Sequence, residues 1–264
     1  MKALRCWTTG LLLILCCTAA PAQSRSLQMI APDIPPHFDS EGKGRIADVV
    51  RAVLDRCGHN ARFAIVPFGR HWKDYPSTPH YDGLATAEAD QEFPGYSTKP
   101  FMRLQDGATV LSDRNLESIV SAEELAGSNV VAFPAADKIL GIEALVPRFK
   151  SFTMRADRFD QIRLLLSSRA DAVMADGLIT ANFIRLFRER SAAGQEPALD
   201  TGRRVLFRRI FQPGPQRLYF RDLVVAADFD RCFEELRADG TVERLAKPYV
   251  DRYRDILGDQ YPSF

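Results

Sequence analysis

The sequence predicts an α/β fold, and three observations carry the prediction. Short apolar runs of strand length alternate with segments whose apolar residues recur every three or four positions. No internal repeat or low-complexity tract breaks the alternation. The 264 residues are 46% hydrophobic, enough to build a core for one large domain or two lobes.

The first residues stand apart from the fold. Lys2 and Arg5 give a positive start, Leu11 to Leu15 with Cys16 and Cys17 a short apolar run, and Ala20-Pro21-Ala22 the small residues of a cleavage site. Residues 1–22 read as a secretory signal peptide, too short to anchor a membrane protein. The rest is expected in the periplasm. Loss of Lys2 and Arg5 leaves 33 basic residues against 34 acidic ones. That balance makes no electrostatic case for nucleic acid or anionic lipid, and no further run is long enough to span a bilayer. Only Cys57 and Cys232 of the five cysteines remain, which permits one disulfide or two buried thiols.

Leu27 to Ile30 is a first strand, followed by the proline-stiffened loop Ala31-Pro32-Asp33-Ile34-Pro35-Pro36-His37-Phe38. Ile46, Val49, Val50, Val53, Leu54 and Cys57 mark one face of a helix that Gly58 stops. Phe63 to Val66 is the next strand, ending at Pro67; Leu84 to Thr86 and Thr109 to Leu111 are weaker ones. Ser121 and Glu124 form a capping box before a short helix closed by Gly127. Val130 to Phe133 and Ala172 to Ala175 read as buried strands, with a helix at Phe159, Ile162, Leu165 and Leu166 between them. A helix follows over Leu178 to Phe187. Residues 188–204 are polar and read as an exposed surface excursion. Pro213-Gly214-Pro215 breaks the chain, and Phe229, Cys232, Phe233 and Leu236 share the face of a last long helix.

The ending Leu236-Arg-Ala-Asp-Gly-Thr-Val-Glu-Arg-Leu-Ala-Lys-Pro-Tyr249 is helix, turn at Gly240, helix. It resembles the closing signature of the bacterial extracellular solute-binding proteins of family 3. The rest agrees in order: Gly44, Asp48 and Gly58 of the first helix, Leu125-Ala126-Gly127 before the strand at Val130, and Asp171 and Asp176 around the strand at Ala172. The resemblance spans residues 27–258. It implies a two-lobed type II periplasmic binding fold, each lobe a mixed sheet flanked by helices, joined by two crossover strands. Lobe one would be residues 25–108 plus 215–264, lobe two 109–214. The last helices would then complete the core of lobe one, and Cys57 and Cys232 would both lie on helices of that lobe. The resemblance also implies a small-molecule ligand, an inner-membrane ABC permease as partner, and a monomer, with no cofactor and no metal.

The chain departs from the family at its carboxylate-binding devices. After Asp82-Gly83-Leu84-Ala85-Thr86 the family carries an arginine that forks onto the ligand carboxylate. Here Ala87-Glu88-Ala89-Asp90-Gln91-Glu92 follows, with no arginine and three acids. After the strand ending at Phe133, Pro134-Ala135-Ala136 replaces a Gly-Thr helix start, and proline removes one donor. A cationic or neutral polar solute is therefore expected rather than an ordinary free amino acid, unless Arg70 supplies the missing guanidinium. Pro67-Phe68-Gly69-Arg70-His71-Trp72 directly follows a strand, where open α/β sheets bind ligands. Phe68, Arg70 and Trp72 are the candidate walls there. The resemblance adds Asp176 as acceptor for a ligand ammonium, or as the N-cap of the helix at Leu178, and Tyr96 and Ser97 as the aromatic-serine step.

No catalytic constellation stands out. His37, His59, His71 and His80 lack metal-ligand spacing, and no nucleophile elbow or phosphate loop occurs. Glu88 with Asp90 could do acid–base work, but a solvated loop explains the pair more simply. The leading expectation is a non-enzymatic receptor feeding a transporter. A sensor or docking partner, and a lyase or dehydratase on the same scaffold, are the other readings.

Overall fold

The computed structural model describes residues 25–88, 90–196 and 199–263. The signal peptide read at residues 1–22 lies outside them. Two sheets organise the chain. In the first, β1 (Arg25–Asp33) is central, with β2 (His59–Pro67) and β3 (Gly83–Glu88) parallel on either side of it. The late strand β11 (Gly214–Phe220) runs antiparallel beside β3, and β4 (Tyr96–Ser97) and β5 (Met102–Leu104) pair with it in turn.

The second sheet has β6 (Asp106–Leu111), β7 (Asn129–Ala132), β8 (Ser151–Met154), β9 (Ala172–Asp176) and β10 (Val205–Arg208), in the order β10-β6-β9-β7-β8. The expected boundary at residue 108 thus falls inside β6, which joins the second sheet from Asp106. The chain passes between the sheets at Gln105 and again between Arg208 and Gly214. Gln105 ties the two crossings together, its side-chain amide donating to the Phe211 carbonyl at 2.9 Å.

Each sheet has its own core. Helix α1 (Arg45–Arg56) turns Ile46, Ala47, Val49, Val50, Val53 and Leu54 inward at helical spacing. Helix α6 (Leu223–Ala238) does the same with Phe229, Phe233 and Leu236, and both pack on the first sheet. Burial of each such side chain contributes about 1.5–3 kcal/mol. Cys57, capping α1, and Cys232 of α6 form a disulfide with Cα atoms 6.1 Å apart. In the second sheet Val130, Val131, Ala172, Val173 and Met174 are buried beneath α4 (Arg158–Leu166) and α5 (Gly177–Ala192). The capping box forms as read, with Ser121 and Glu124 bracketing a single 3-10 turn.

Two expectations need correction. Residues 188–204 are exposed for the most part, as expected, but they open in helix: α5 continues to Ala192, and β10 begins at Val205. The polar side chains between them cross-link the segment. Arg188 donates to the carbonyls of Thr201 and Arg203, and the Glu196 carboxylate is buried between Arg163 and Arg190. The second correction concerns the end of the chain. Helix α7 (Thr241–Asp251) buries Val242 and Ala246 in the first core, as expected. Val250 at the end of α7, Tyr253 after it, Ile256 and Leu257 of the short α8 (Arg254–Leu257), and Tyr261 are buried in the second core instead. The apolar stripe of α7 leads the chain out of the first sheet, so the tail is a third link between the two.

Candidate functional site

The C-terminal ends of β1, β2 and β3 bring Asp33, Ile34, Pro67, Phe68 and Glu88 to one rim of the first sheet. The C-terminal ends of β7 and β9 bring Phe133, Pro134 and Asp176 to the facing rim of the second. Between them lies a cleft with two chambers. The outer one, of about 340 Å³, is lined by Asp33, Ile34, Phe68, Pro134, Arg158 and Phe183 among others. The inner one, of about 40 Å³, is walled by Ile34, Phe68, Phe133, Ile139 and Ile179 and carries Glu88, Asp106, Arg158 and Asp176. Phe68 and Phe133 meet edge to face across the gap, centroids 6.0 Å apart. Such pairs add about 0.5–1.5 kcal/mol beyond area burial.

Asp176 sits at the junction of everything. Its Oδ1 accepts from the Ile179 amide at 2.9 Å, which caps α5. Its Oδ2 accepts from the Gln105 amide at 3.0 Å and from the Tyr261 hydroxyl at 2.7 Å. His37 Nε2 lies 3.4 Å from Oδ1. Burial alone would push the carboxyl up; the hydrogen bond to His37, then those from the Ile179 amide and Tyr261, hold it below the usual range. Full burial keeps His37 below its ordinary value, with the contact to Asp176 opposing. A neutral imidazole suffices, because the two amides and the hydroxyl already donate to the carboxylate.

Asp106 has a different fate. It pairs in register with Asp176 across the antiparallel β6–β9 ladder, so two carboxyls stand directly opposite. Like charges in that position repel. Burial pushes the Asp106 carboxyl well above its usual range, with Asp176 and Glu88 adding to the rise and Arg158 opposing. No hydrogen bond or ion pair to its carboxyl exists among the described residues. Glu88, last in β3, accepts from the Gln216 amide at 3.0 Å. Burial raises its carboxyl too, the Gln216 bond opposing and Asp90 adding. Arg158 opens α4 behind the Asp157 N-cap, with its guanidinium 5.7 Å from the Phe133 centroid. Its one side-chain hydrogen bond, to Gln161, is a long 3.4 Å, and it makes no ion pair among the described residues. Two carboxyls and one guanidinium therefore converge on a small apolar chamber with little else to bind.

Solved structures share this architecture over most of the chain. A histidine kinase sensor domain described as similar to periplasmic binding proteins matches with a TM-score of 0.66 at 16% identity, over 89% of this chain and 98% of its own. An ABC uptake transporter substrate binding protein from Streptococcus pneumoniae, with bound histidine, matches at 0.62 and 14% identity, over 86% and 93%. An ancestral amino acid-binding protein described as a precursor of cyclohexadienyl dehydratase matches at 0.61 and 17%, over 85% and 95%. The chain has the type II periplasmic binding protein fold. No protein-family model matches the sequence, and no curated protein matches it.

In this periplasmic binding protein fold, only part of the set read from the sequence gathers in the cleft. Phe68 lines both chambers. Trp72 meets Phe68 edge to face with centroids 5.1 Å apart, but its one donor is taken by the Thr86 carbonyl at 2.9 Å. Arg70 begins α2 (Arg70–Ser77), is 65% exposed and pairs with Asp74 at 3.0 Å. It lines, with Trp72, Pro134, Ala135 and Ile139, a depression of about 560 Å³ that adjoins the cleft at Phe68, and it is not among the residues that line either chamber. Asp176 is the N-cap, the second of its two sequence readings, and its oxygens are occupied. Tyr96 and Ser97 are far from the cleft. They pair with Phe220 and Tyr219, level with Gly83 at the opposite end of β3 from Glu88. Tyr96 is 46% exposed there.

The cleft residues missed from sequence are Asp106 and Arg158. Glu88 was assigned to a solvated loop, but it ends a strand and is half-buried, unlike the exposed Asp90. Arg158 had one signal, its place behind an N-cap aspartate. A helix start can face solvent or cleft equally, so that signal does not choose. After β7, Pro134 lines the outer chamber and α3 (Ala136–Ile139) is a single turn.

Proposed function

We propose that this chain is a solute-binding protein of the bacterial cell envelope, exported by its N-terminal signal. It closes its lobes around a small polar solute and presents it to an ABC permease of the inner membrane. One observation carries the reading: a cleft between two sheets, walled by residues of both, that holds the Asp106 carboxyl and the Arg158 guanidinium without an ion-pair partner among the described residues. Polar groups without partners in a largely apolar cleft are satisfied by a ligand, and a ligand touching both lobes favours the closed state. The junction of Gln105, Phe211, Asp176 and Tyr261 is then the pivot.

The sequence disfavours an amino-acid ligand for want of a guanidinium, and Arg158 provides one from the second lobe. What remains is the charge balance of the inner chamber, the three carboxyls of Glu88, Asp106 and Asp176 to one guanidinium, which favours a solute with excess positive charge. The sensor reading keeps the same cleft and differs only in the partner, and the lyase reading has its candidate acids in Glu88 and Asp106.

The test is a thermal-shift screen of the processed chain against amino acids, polyamines, sugars and aromatic acids, since a ligand of the native state raises the melting temperature. At least one solute should shift it by several degrees, and Arg158→Ala should remove the shift. If no solute does so, the receptor reading fails. If the bound solute is converted to product, the lyase reading takes its place.

A further inference from the structure

We propose that Glu88 and Asp106 together receive the cationic head of the solute in the inner chamber, and that this head displaces a proton as it binds. The inference rests on the receptor reading and adds the ligand's chemical class and orientation. Three features of the chamber carry it.

The first is size. About 40 Å³ admits a few heavy atoms, such as an ammonium or amidinium group. The outer chamber of about 340 Å³ is in the range that holds a small-molecule body, and its walls are largely apolar at Ile34, Phe68, Pro134, Ile179 and Phe183. The solute therefore enters head first.

The second is the inventory of free acceptors. Asp176 already takes bonds from the Gln105 amide, the Ile179 amide and the Tyr261 hydroxyl. Glu88 takes one, from Gln216, and Asp106 none among the described residues. A cation thus finds its open acceptors at Glu88 and Asp106, one from each sheet. Arg158 lines both chambers and is placed to hold an acceptor on the solute body, such as a hydroxyl, carbonyl or carboxylate oxygen.

The third is the proton inventory. The charged groups facing Asp106 are Asp176 opposite on β9, Glu88 on β3 and Arg158 on α4; those facing Glu88 are Asp90 and Asp106. Asp106 stands opposite Asp176 in the ladder without a donor among the described residues, and burial and the neighbouring acids shift both it and Glu88 toward the protonated form in the empty chamber. A cation between them favours the ionised forms. The carboxylic acid gives its proton to solvent, and the carboxylate pairs with the incoming cation.

Titration calorimetry with agmatine, cadaverine and tyramine tests this, with phenylacetate, L-histidine and glucose beside them. Runs at one pH in two buffers of different ionisation enthalpy read the proton directly. Amines should bind with net proton release, and affinity should rise with pH, by up to tenfold per unit for one proton. Glu88→Gln or Asp106→Asn should each weaken an amine about ten- to hundredfold, the scale of a charge-assisted hydrogen bond. The wild-type proton count stands even if a variant folds poorly. Binding of phenylacetate or glucose with no binding of an amine or of histidine overturns the cation assignment and leaves the receptor reading intact. Amine binding without proton release overturns the displacement. No binding by any amine overturns the assignment outright.

Discussion

His71 shows how one buried side chain sets a pH limit. It lies fully buried between Phe68 and Trp72, with Nδ1 unpartnered. Burial lowers its pKa to about 3, the Thr86 bond opposing. The unfolded chain takes up a proton near pH 6.5, the folded one only near 3. The folded state therefore binds fewer protons in that window, and stability falls as pH falls through it. Between pH 7 and 5 the loss is about 2 kcal/mol from this residue alone. Denaturant melts at both pH values should show it, and His71→Leu should flatten the dependence by that amount. An unchanged slope in the variant would mean the imidazole is protonated in the fold. Asp176 acts with the same sign, because its carboxyl is held low. Asp106 and Glu88 act against it, because theirs are held high and their protonated forms belong to the fold. The difference between wild type and variant isolates His71.

At the scale of elements, the disulfide is the clearest lever. It joins the end of α1 to α6 across 175 residues of chain, enclosing the whole second sheet in its loop. Closing so long a loop restricts the unfolded ensemble strongly, and losing the bridge costs about 2–5 kcal/mol. The double variant Cys57→Ser, Cys232→Ser should melt lower by that margin in urea and keep its ligand affinity, because neither residue lines the cleft. Lost affinity at unchanged stability would contradict both halves of the argument. The helices α1, α4 and α6 and the strands at Val130 and Ala172 were legible in sequence, because one-sided or complete burial imposes a period that composition preserves. The strand β10 and the last turn of α5 were not. β10 is only four residues long, and the end of α5 carries Arg188 and Arg190, whose partners are the carbonyls of Thr201 and Arg203 and the carboxylate of Glu196; such pairings leave no period. The cleft was hidden for a related reason. Glu88, Asp106 and Arg158 come from three separate elements, and only the register of β6 on β9 and the facing of the two sheets bring them together.

The whole molecule is held by three links, and the third has a consequence for cooperativity. After α7 the tail crosses to the second core, where Tyr253, Ile256, Leu257 and Tyr261 are buried. Arg45 of α1 holds that tail from the first lobe. Its guanidinium donates to the carbonyls of Arg103, Pro262 and Ser263 and lies 5.5 Å from the Tyr261 centroid. Tyr261 in turn donates to Asp176 of the second sheet. Neither core is complete without a segment that also belongs to the other. The intact chain should therefore unfold in one calorimetric transition, its calorimetric and van't Hoff enthalpies equal. Truncation after Arg252 removes four aromatic or aliphatic side chains from the second core, each worth about 1.5–3 kcal/mol of burial. It also strips Asp176 of one donor and leaves the buried Arg45 without two of its carbonyls. The second lobe should then melt first, and the single transition should divide into two. The milder Tyr261→Phe keeps the packing and loses only the hydroxyl, so it should lower stability by about 1–3 kcal/mol without splitting the transition. A truncated chain that still melts in one step at the wild-type temperature would show that the two crossings at Gln105 and Phe211 couple the lobes by themselves.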